Sequence, residues 1–204
     1  MIDDVPSPID FRDRDDALAW AREAEAKRPG RPQLREAISD LLRTANARSV
    51  LELGPGPGWL AECVLRSCPV EHYMLFDFSQ AMLALARDRL GEHTAASFVL
   101  GDFKQPKWTR HFAEPCDAVV AMQSVHELRH KRHIPDLYRQ VREILRRDGL
   151  LVVCDHEPRD ASARSTALYA TQAEQLAAFL QAGFVRARTE LSLDGLYVCV
   201  GQRS

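Results

Sequence analysis

Ser49–Gly58 reads SVLELGPGPG: a short apolar run, then three glycines at alternate positions separated by Pro55 and Pro57. The run predicts a buried strand, and the glycine loop ends it. Trp59–Leu65 follows as a helix. Downstream the pattern repeats. Tyr73–Phe76 is a second short strand ending at Asp77. Ser79 is the N-cap of a helix whose apolar face carries Met82, Leu83, Leu85, Ala86 and Leu90. Ser97–Leu100, Asp117–Met122 and Gly149–Cys154 are three more strands, with a helix over Ile134–Leu145 before the last. Thr171–Ala182 is a helix stopped by Gly183. Val185–Leu191 and Leu196–Gly201 form a closing hairpin around Asp194-Gly195. Upstream, Asp13–Lys27 and Gln33–Ala47 read as helices separated by the break Arg28-Pro29-Gly30-Arg31-Pro32.

Strands alternating with helices predict a doubly wound, mostly parallel α/β sheet with helices on both faces. The tight hairpin requires an antiparallel strand at its end. In such sheets ligands bind beyond the carboxyl ends of the strands. The Gly54–Gly58 loop lies at such an end and opens a helix whose free N–H groups suit an anionic group. Glu52 stands just before the loop. Asp77 ends the next strand about 20 residues on, where an acid accepts both hydroxyls of a ribose. The dinucleotide fingerprint needs glycine at position 59, which is Trp59, and this argues against a nicotinamide oxidoreductase.

LELGPGPG (Leu51–Gly58) resembles motif I of the class I S-adenosylmethionine-dependent methyltransferases. FDFSQAMLALAR (Phe76–Arg87), GDF (Gly101–Phe103), DAVVAMQSVHEL (Asp117–Leu128) and LRRDGLLVVCDH (Leu145–His156) are similar, in order, to the family's later strand-end motifs. Arg147-Asp148-Gly149 departs from the family's usual Pro-Gly-Gly, in a turn remote from the ligand. The resemblance runs from about residue 48 to the C-terminus. It implies a Rossmann-like seven-stranded sheet in the order 3-2-1-4-5-7-6, with strand 7 antiparallel. Residues 48–204 would be the methyltransferase domain and 1–47 a helical lead and lid. The cofactor would be S-adenosylmethionine. Gly54, Pro55, Gly56 and Gly58 would cradle its methionine part, Glu52 its ammonium group and Asp77 its ribose. Phe78 and Met82 would pack on the adenine. Asp102 and the Phe103 N–H would read the adenine edge, and the backbone at Gln123 would face the methionine amine.

Methyl transfer needs a nucleophile held about 3 Å from the methyl carbon, in line with the leaving sulfur, so no fixed catalytic signature is expected. His126, after the fourth strand, is the leading candidate base, and Asp155 with His156 the second. His126-Glu127-Leu128-Arg129-His130 also matches HExxH, the zinc-hydrolase motif, which needs both histidines on one helix face. Here the motif follows a strand directly and precedes Lys131-Arg132, so no metal site is expected. The basic run Arg129–His133 reads as a solvated face. The Asn/Asp-Pro-Pro-aromatic turn of nucleobase- and glutamine-methylating enzymes is replaced by Gln123-Ser124-Val125-His126. A small-molecule acceptor follows. Glu157–Ala170 is short, so the lid is expected from residues before 48, with Trp20 and Tyr169 as further lining candidates.

Bulk properties agree. The 204 residues are 46% apolar and 27% charged, with net charge −2, which points to neither a nucleic-acid nor a membrane partner. The beginning, MIDDVPSPIDFRDRDD, lacks the apolar core of a signal peptide, and no apolar stretch approaches the roughly 20 residues of a membrane span. Five cysteines without CxxC spacing fit reduced thiols in the cytoplasm. A monomer or homodimer is expected. A methyltransferase-like module that binds cofactor or partner without catalysis is the alternative reading.

Overall fold

The computed structural model describes residues 4–204. Seven strands form one sheet in the order β3-β2-β1-β4-β5-β7-β6. They are β1 (Ser49–Leu53), β2 (His72–Asp77), β3 (Ala96–Leu100), β4 (Cys116–Met122), β5 (Leu145–His156), β6 (Phe184–Leu193) and β7 (Leu196–Arg203). The first five run parallel, and β7 is antiparallel to both neighbours. The β6–β7 turn takes positive φ at both Asp194 (53°) and Gly195 (70°), the backbone that Asp-Gly favours. β5 starts earlier than the apolar run suggests, at Leu145, with a register irregularity opposite Cys116–Ala118.

Strand parity distributes the core. Leu51, Leu53, Val119, Ala121, Leu151 and Val153 face one side, packed under α5 (Ile134–Ile144) and α7 (Gln172–Gln181). Val50, Tyr73, Leu75, Ala118, Val120 and Val152 face the other. There they meet α2 (Arg31–Thr44), α3 (Trp59–Ser67) and α4 (Gln80–Leu90) through Leu34, Ile38, Leu60, Val64 and Leu83. Burial on both faces explains why the central strands read as continuous apolar runs. α1 (Arg14–Ala24) and the arm before it cross the carboxyl ends of the strands, and α6 (Ala163–Leu168) fills the β5–α7 connection. No helix among the described residues is long and apolar enough to cross a membrane.

Candidate active site

A cavity of about 770 Å³ opens over the carboxyl ends of β1, β2, β4 and β5. That size is in the upper part of the range for ligand pockets, roughly 300–1,000 Å³. Gly54, Gly56, Asp77, Phe78, Met82, Phe103 and Gln123 line one half. His126 and His156 line the other. Trp20, Arg31, Ser7, Pro8, Ile9 and Phe11 roof it.

The glycine loop is built for close approach. Gly54 (φ 66°) donates its N–H to Phe76 O (2.9 Å), and a Cβ there would lie 2.5 Å from Ser124 Cβ. Ser124 Oγ in turn donates to Leu53 O (2.5 Å), which ties the end of β1 to the segment after β4. At Gly56 (φ 54°) a Cβ would meet only Trp20, at 4.0 Å, and would project into the cavity. Asp77 is buried, and its carboxylate accepts from Ser79 N (2.9 Å) and Gly56 N (3.3 Å). Burial outweighs those bonds and pushes its pKa up to about 6. A carboxylate with spare lone pairs beside a glycine cradle fits a ribose diol and an amino-acid tail.

Four expected cofactor residues stand behind the lining. Glu52 shares the parity of Val50 and therefore faces the α3 side. It is buried there, accepts from Tyr73 Oη (2.8 Å), and burial raises its pKa to about 8. Pro55 and Gly58 are turned away from the cavity, Gly58 against Ala86. Asp102 accepts from Lys104 N (2.9 Å) and lies 3.8 Å from Arg12 Nη. Phe78 lines the cavity under Arg12 and Lys104, whose cationic ends lie 4.8 and 5.5 Å from its ring centroid.

The histidine half is organised by Asp155, which is buried at the end of β5. Its carboxylate accepts from His126 Nδ1 (2.7 Å), His126 N (3.0 Å) and His156 N (2.8 Å). Burial alone would raise Asp155, but His126 and these bonds hold it below the usual carboxylate range. Burial likewise opposes charge on His126, and the adjoining carboxylate more than offsets it, so its pKa rises. With Nδ1–H engaged by Asp155, the remaining nitrogen of His126 is Nε2, which lies 3.5 Å from Glu127 Oε1. His156 differs. Desolvation drops its pKa to about 3, so its ring is neutral. Arg31 Nε donates to Gln123 Oε1 (2.6 Å), which turns the Gln123 amide nitrogen toward His156 Nε2 (2.9 Å). His156 Nε2 must therefore accept, and its proton resides on Nδ1.

Some features were not legible in the sequence. Arg31 looks like part of a loop break, yet it is buried, bonded to Ala24 O and Gln123. Ser124 gives no signal beyond standing after a strand. Residues 157–170, read as too short to form the lid, contribute Arg159 and Ser165 to the cavity beside Tyr169, which was expected there, because α6 folds back over it. The HExxH segment is not one α-helix. Val125–Leu128 is a 3-10 turn, and Arg129 breaks it with φ 66°. His126, Asp155 and His156 do bring ligand atoms within 4.8 Å of one another, a grouping the motif's own spacing did not predict. The basic run is only partly solvated. Arg129 donates to Val5 O (2.7 Å) and Pro6 O (2.9 Å), while Arg132 and His133 hold Asp4.

This sheet order, with a glycine loop after β1 and an acid after β2, defines a class I nucleoside-cofactor fold. Residues 50–149 match the family model described as a methyltransferase domain. Over that span the chain carries a methyltransferase domain, consistent with the class I S-adenosylmethionine-dependent methyltransferases, a family that uses S-adenosylmethionine as methyl donor. It is similar to a malonyl-[acyl-carrier protein] O-methyltransferase of Halalkalibacterium halodurans, 31% identical over 74 residues, covering 36% of this chain and 27% of the relative. Among solved structures it resembles an O-methyltransferase family protein from Burkholderia thailandensis (TM-score 0.72, 20% identity, 94% of this chain and 59% of that one). It also resembles human N-acetylserotonin methyltransferase in complex with S-adenosylmethionine (TM-score 0.69, 13% identity, 95% and 57%). The chain thus spans about a quarter of the curated relative and under two thirds of these two structures.

Proposed function

We propose that this chain transfers a methyl group from S-adenosylmethionine to a small-molecule acceptor, with His126 as general base. The observation that carries this reading is that the His126–Asp155 pair opens into the same cavity as the glycine loop and Asp77. S-adenosylmethionine supplies an electrophilic methyl group. The protein's part is to hold, orient and deprotonate. Gly54, Gly56 and Gln123 would hold the amino-acid end, Asp77 the ribose, and Phe78, Met82 and Phe103 the adenine. His126 Nε2 takes the acceptor's proton, and Asp155 stabilises the imidazolium that forms. His156, with a pKa of about 3, binds protons too weakly to be the base and instead shapes the acceptor half. Ser7, Pro8, Ile9, Phe11 and Trp20 over the cavity support residues 1–47 as a lid that excludes water from a domain over 48–204.

An acceptor space inside a cavity, with net charge −2 for the chain, favours a small molecule over a nucleic acid. Free cysteines suit the cytoplasm, where the protein would act as a monomer or homodimer. The test is transfer of labelled methyl from the cofactor into a metabolite extract, with calorimetry of S-adenosylhomocysteine binding alongside. Binding without transfer would favour a non-catalytic module. Absence of binding would end the proposal.

A further inference from the structure

Six cationic side chains line the cavity: Lys27, Arg28, Arg31, Arg129, Arg159 and Arg164. Three are accounted for. Lys27 pairs with Glu23 (2.6 Å), Arg31 bonds Ala24 O and Gln123, and Arg129 meets Glu127 (3.1 Å). Among the described residues Arg28, Arg159 and Arg164 have no carboxylate at ion-pair distance. Arg28 spends Nη1 on Asp194 O (2.9 Å) and aims Nη2 at His156 Nδ1, 3.5 Å away.

That last contact does not satisfy itself. Gln123 fixes the proton of His156 on Nδ1, so Nδ1–H and the Arg28 guanidinium are two donors facing one another. A donor pair beside a neutral ring calls for an oxygen that accepts from both. The location is equally specific. The rings of His126, His156 and Tyr169 form a triangle with centroids 5.3–5.5 Å apart. Arg28 adjoins His156, and Arg159 lies over Tyr169, its Cζ 5.9 Å from the ring centroid. Both cations therefore stand one ring away from the base.

We infer that the methyl acceptor carries an oxyanion group, a carboxylate or a phosphate, received between Arg28 and His156 Nδ1–H with Arg159 at the rim. This rests on the reading of His126 as the base facing the acceptor. The anion anchors the molecule while its nucleophile points at His126 Nε2. A guanidinium this close also favours ionisation of that nucleophile. The acceptor is thus a compact acid whose reacting group lies within a few bonds of its charge.

The test is calorimetric binding to protein saturated with S-adenosylhomocysteine. The probes are hydroxybenzoates, short hydroxy acids and phenyl phosphate, each against its neutral amide or alcohol. We expect the anions to bind at least about tenfold more tightly, the size of one charge-assisted hydrogen bond. Arg28→Gln should abolish that preference, and Arg159→Gln, at an exposed residue, should reduce it. The tighter of the carboxylate and phosphate arms identifies the oxyanion. Equal binding of anions and neutral partners, binding of neither, or an undiminished preference in Arg28→Gln overturns the inference. S-adenosylhomocysteine affinity shows that each variant is folded. Its absence from the wild type would instead sink the methyltransferase reading itself.

Discussion

Asp77→Asn separates what the site costs the fold from what it does for the ligand. In the free protein Asp77 is 6% exposed, and its two backbone donors do not compensate for burial, so its pKa climbs from 3.8 to about 6. At about 1.36 kcal/mol per pKa unit, the ionised side chain destabilises the fold by about 3 kcal/mol at neutral pH. The sign follows from proton binding. The folded state holds this proton more tightly than the unfolded chain. Stability from Asp77 is therefore complete below about pH 3.8 and is lost as pH rises through about 6. Asparagine removes the titration and keeps an acceptor for Ser79 N. Thermal unfolding from pH 4 to 8 should show the variant gaining on the wild type across that window. The gain should reach up to about 3 kcal/mol at pH 7.5, about 6–12 °C for a domain of this size. With S-adenosylhomocysteine at 100 times its Kd the wild type recovers about 2.7 kcal/mol, and the variant far less. Parallel unfolding curves for the two proteins would refute the buried-anion argument. Equal ligand-induced shifts would refute the role of Asp77 at the ribose.

Three further outcomes follow from the same geometry. His126→Ala should lower kcat by about 10²–10⁴ while retaining S-adenosylhomocysteine affinity. In the wild type, activity should rise with pH along a limb above the ordinary imidazole range, because Asp155 holds the His126 proton; a pH profile without that limb would remove His126 as base. Arg129→Ala deletes the bonds to Val5 O and Pro6 O, so limited proteolysis should cut the arm faster and ligand should protect it less. Unchanged digestion would show that the arm is held by other contacts. Gly56→Ala must adopt φ 54° and place a methyl in the cradle, costing about 1–2 kcal/mol in stability. Calorimetry should also show weakened cofactor binding, and full affinity would mean the backbone there does not touch the ligand.

The fold was legible because its determinants are local. Each central parallel strand is buried on both faces and so reads as an apolar run, and each parallel strand, the half-buried edge strand β3 included, is closed by a turn, an acid or a cap. Asp194-Gly195 specified its hairpin through the φ values those residues tolerate. The short 3-10 turn at Val125–Leu128 and helix α6 were not legible, since neither has the length to display a period. The Leu145 start of β5 was hidden by Arg146–Asp148, charged residues that extend a strand past the buried part of the sheet.

The cavity lining was legible where it coincides with strand ends, and obscure where it depends on which way a side chain turns. Glu52 and Asp77 both sit at strand ends before a loop and face the same side of the sheet, yet Glu52 lies level with Leu75 and is bonded by Tyr73, whereas Asp77 stands two residues further along and reaches the cavity. The two histidines pose the same problem more sharply. His126 and His156 flank one carboxylate, but only His126 gives it a ring nitrogen, whereas His156 gives it a backbone N–H. That difference raises the pKa of one imidazole, while burial lowers that of the other and leaves it neutral. Which nitrogen of neutral His156 carries the proton is set from further away, by Arg31, 92 residues from the Gln123 it orients. Long-range side-chain relays of this kind leave no periodic trace in a sequence. The chemistry of this cavity is therefore decided by contacts that appear only once the strands are laid side by side.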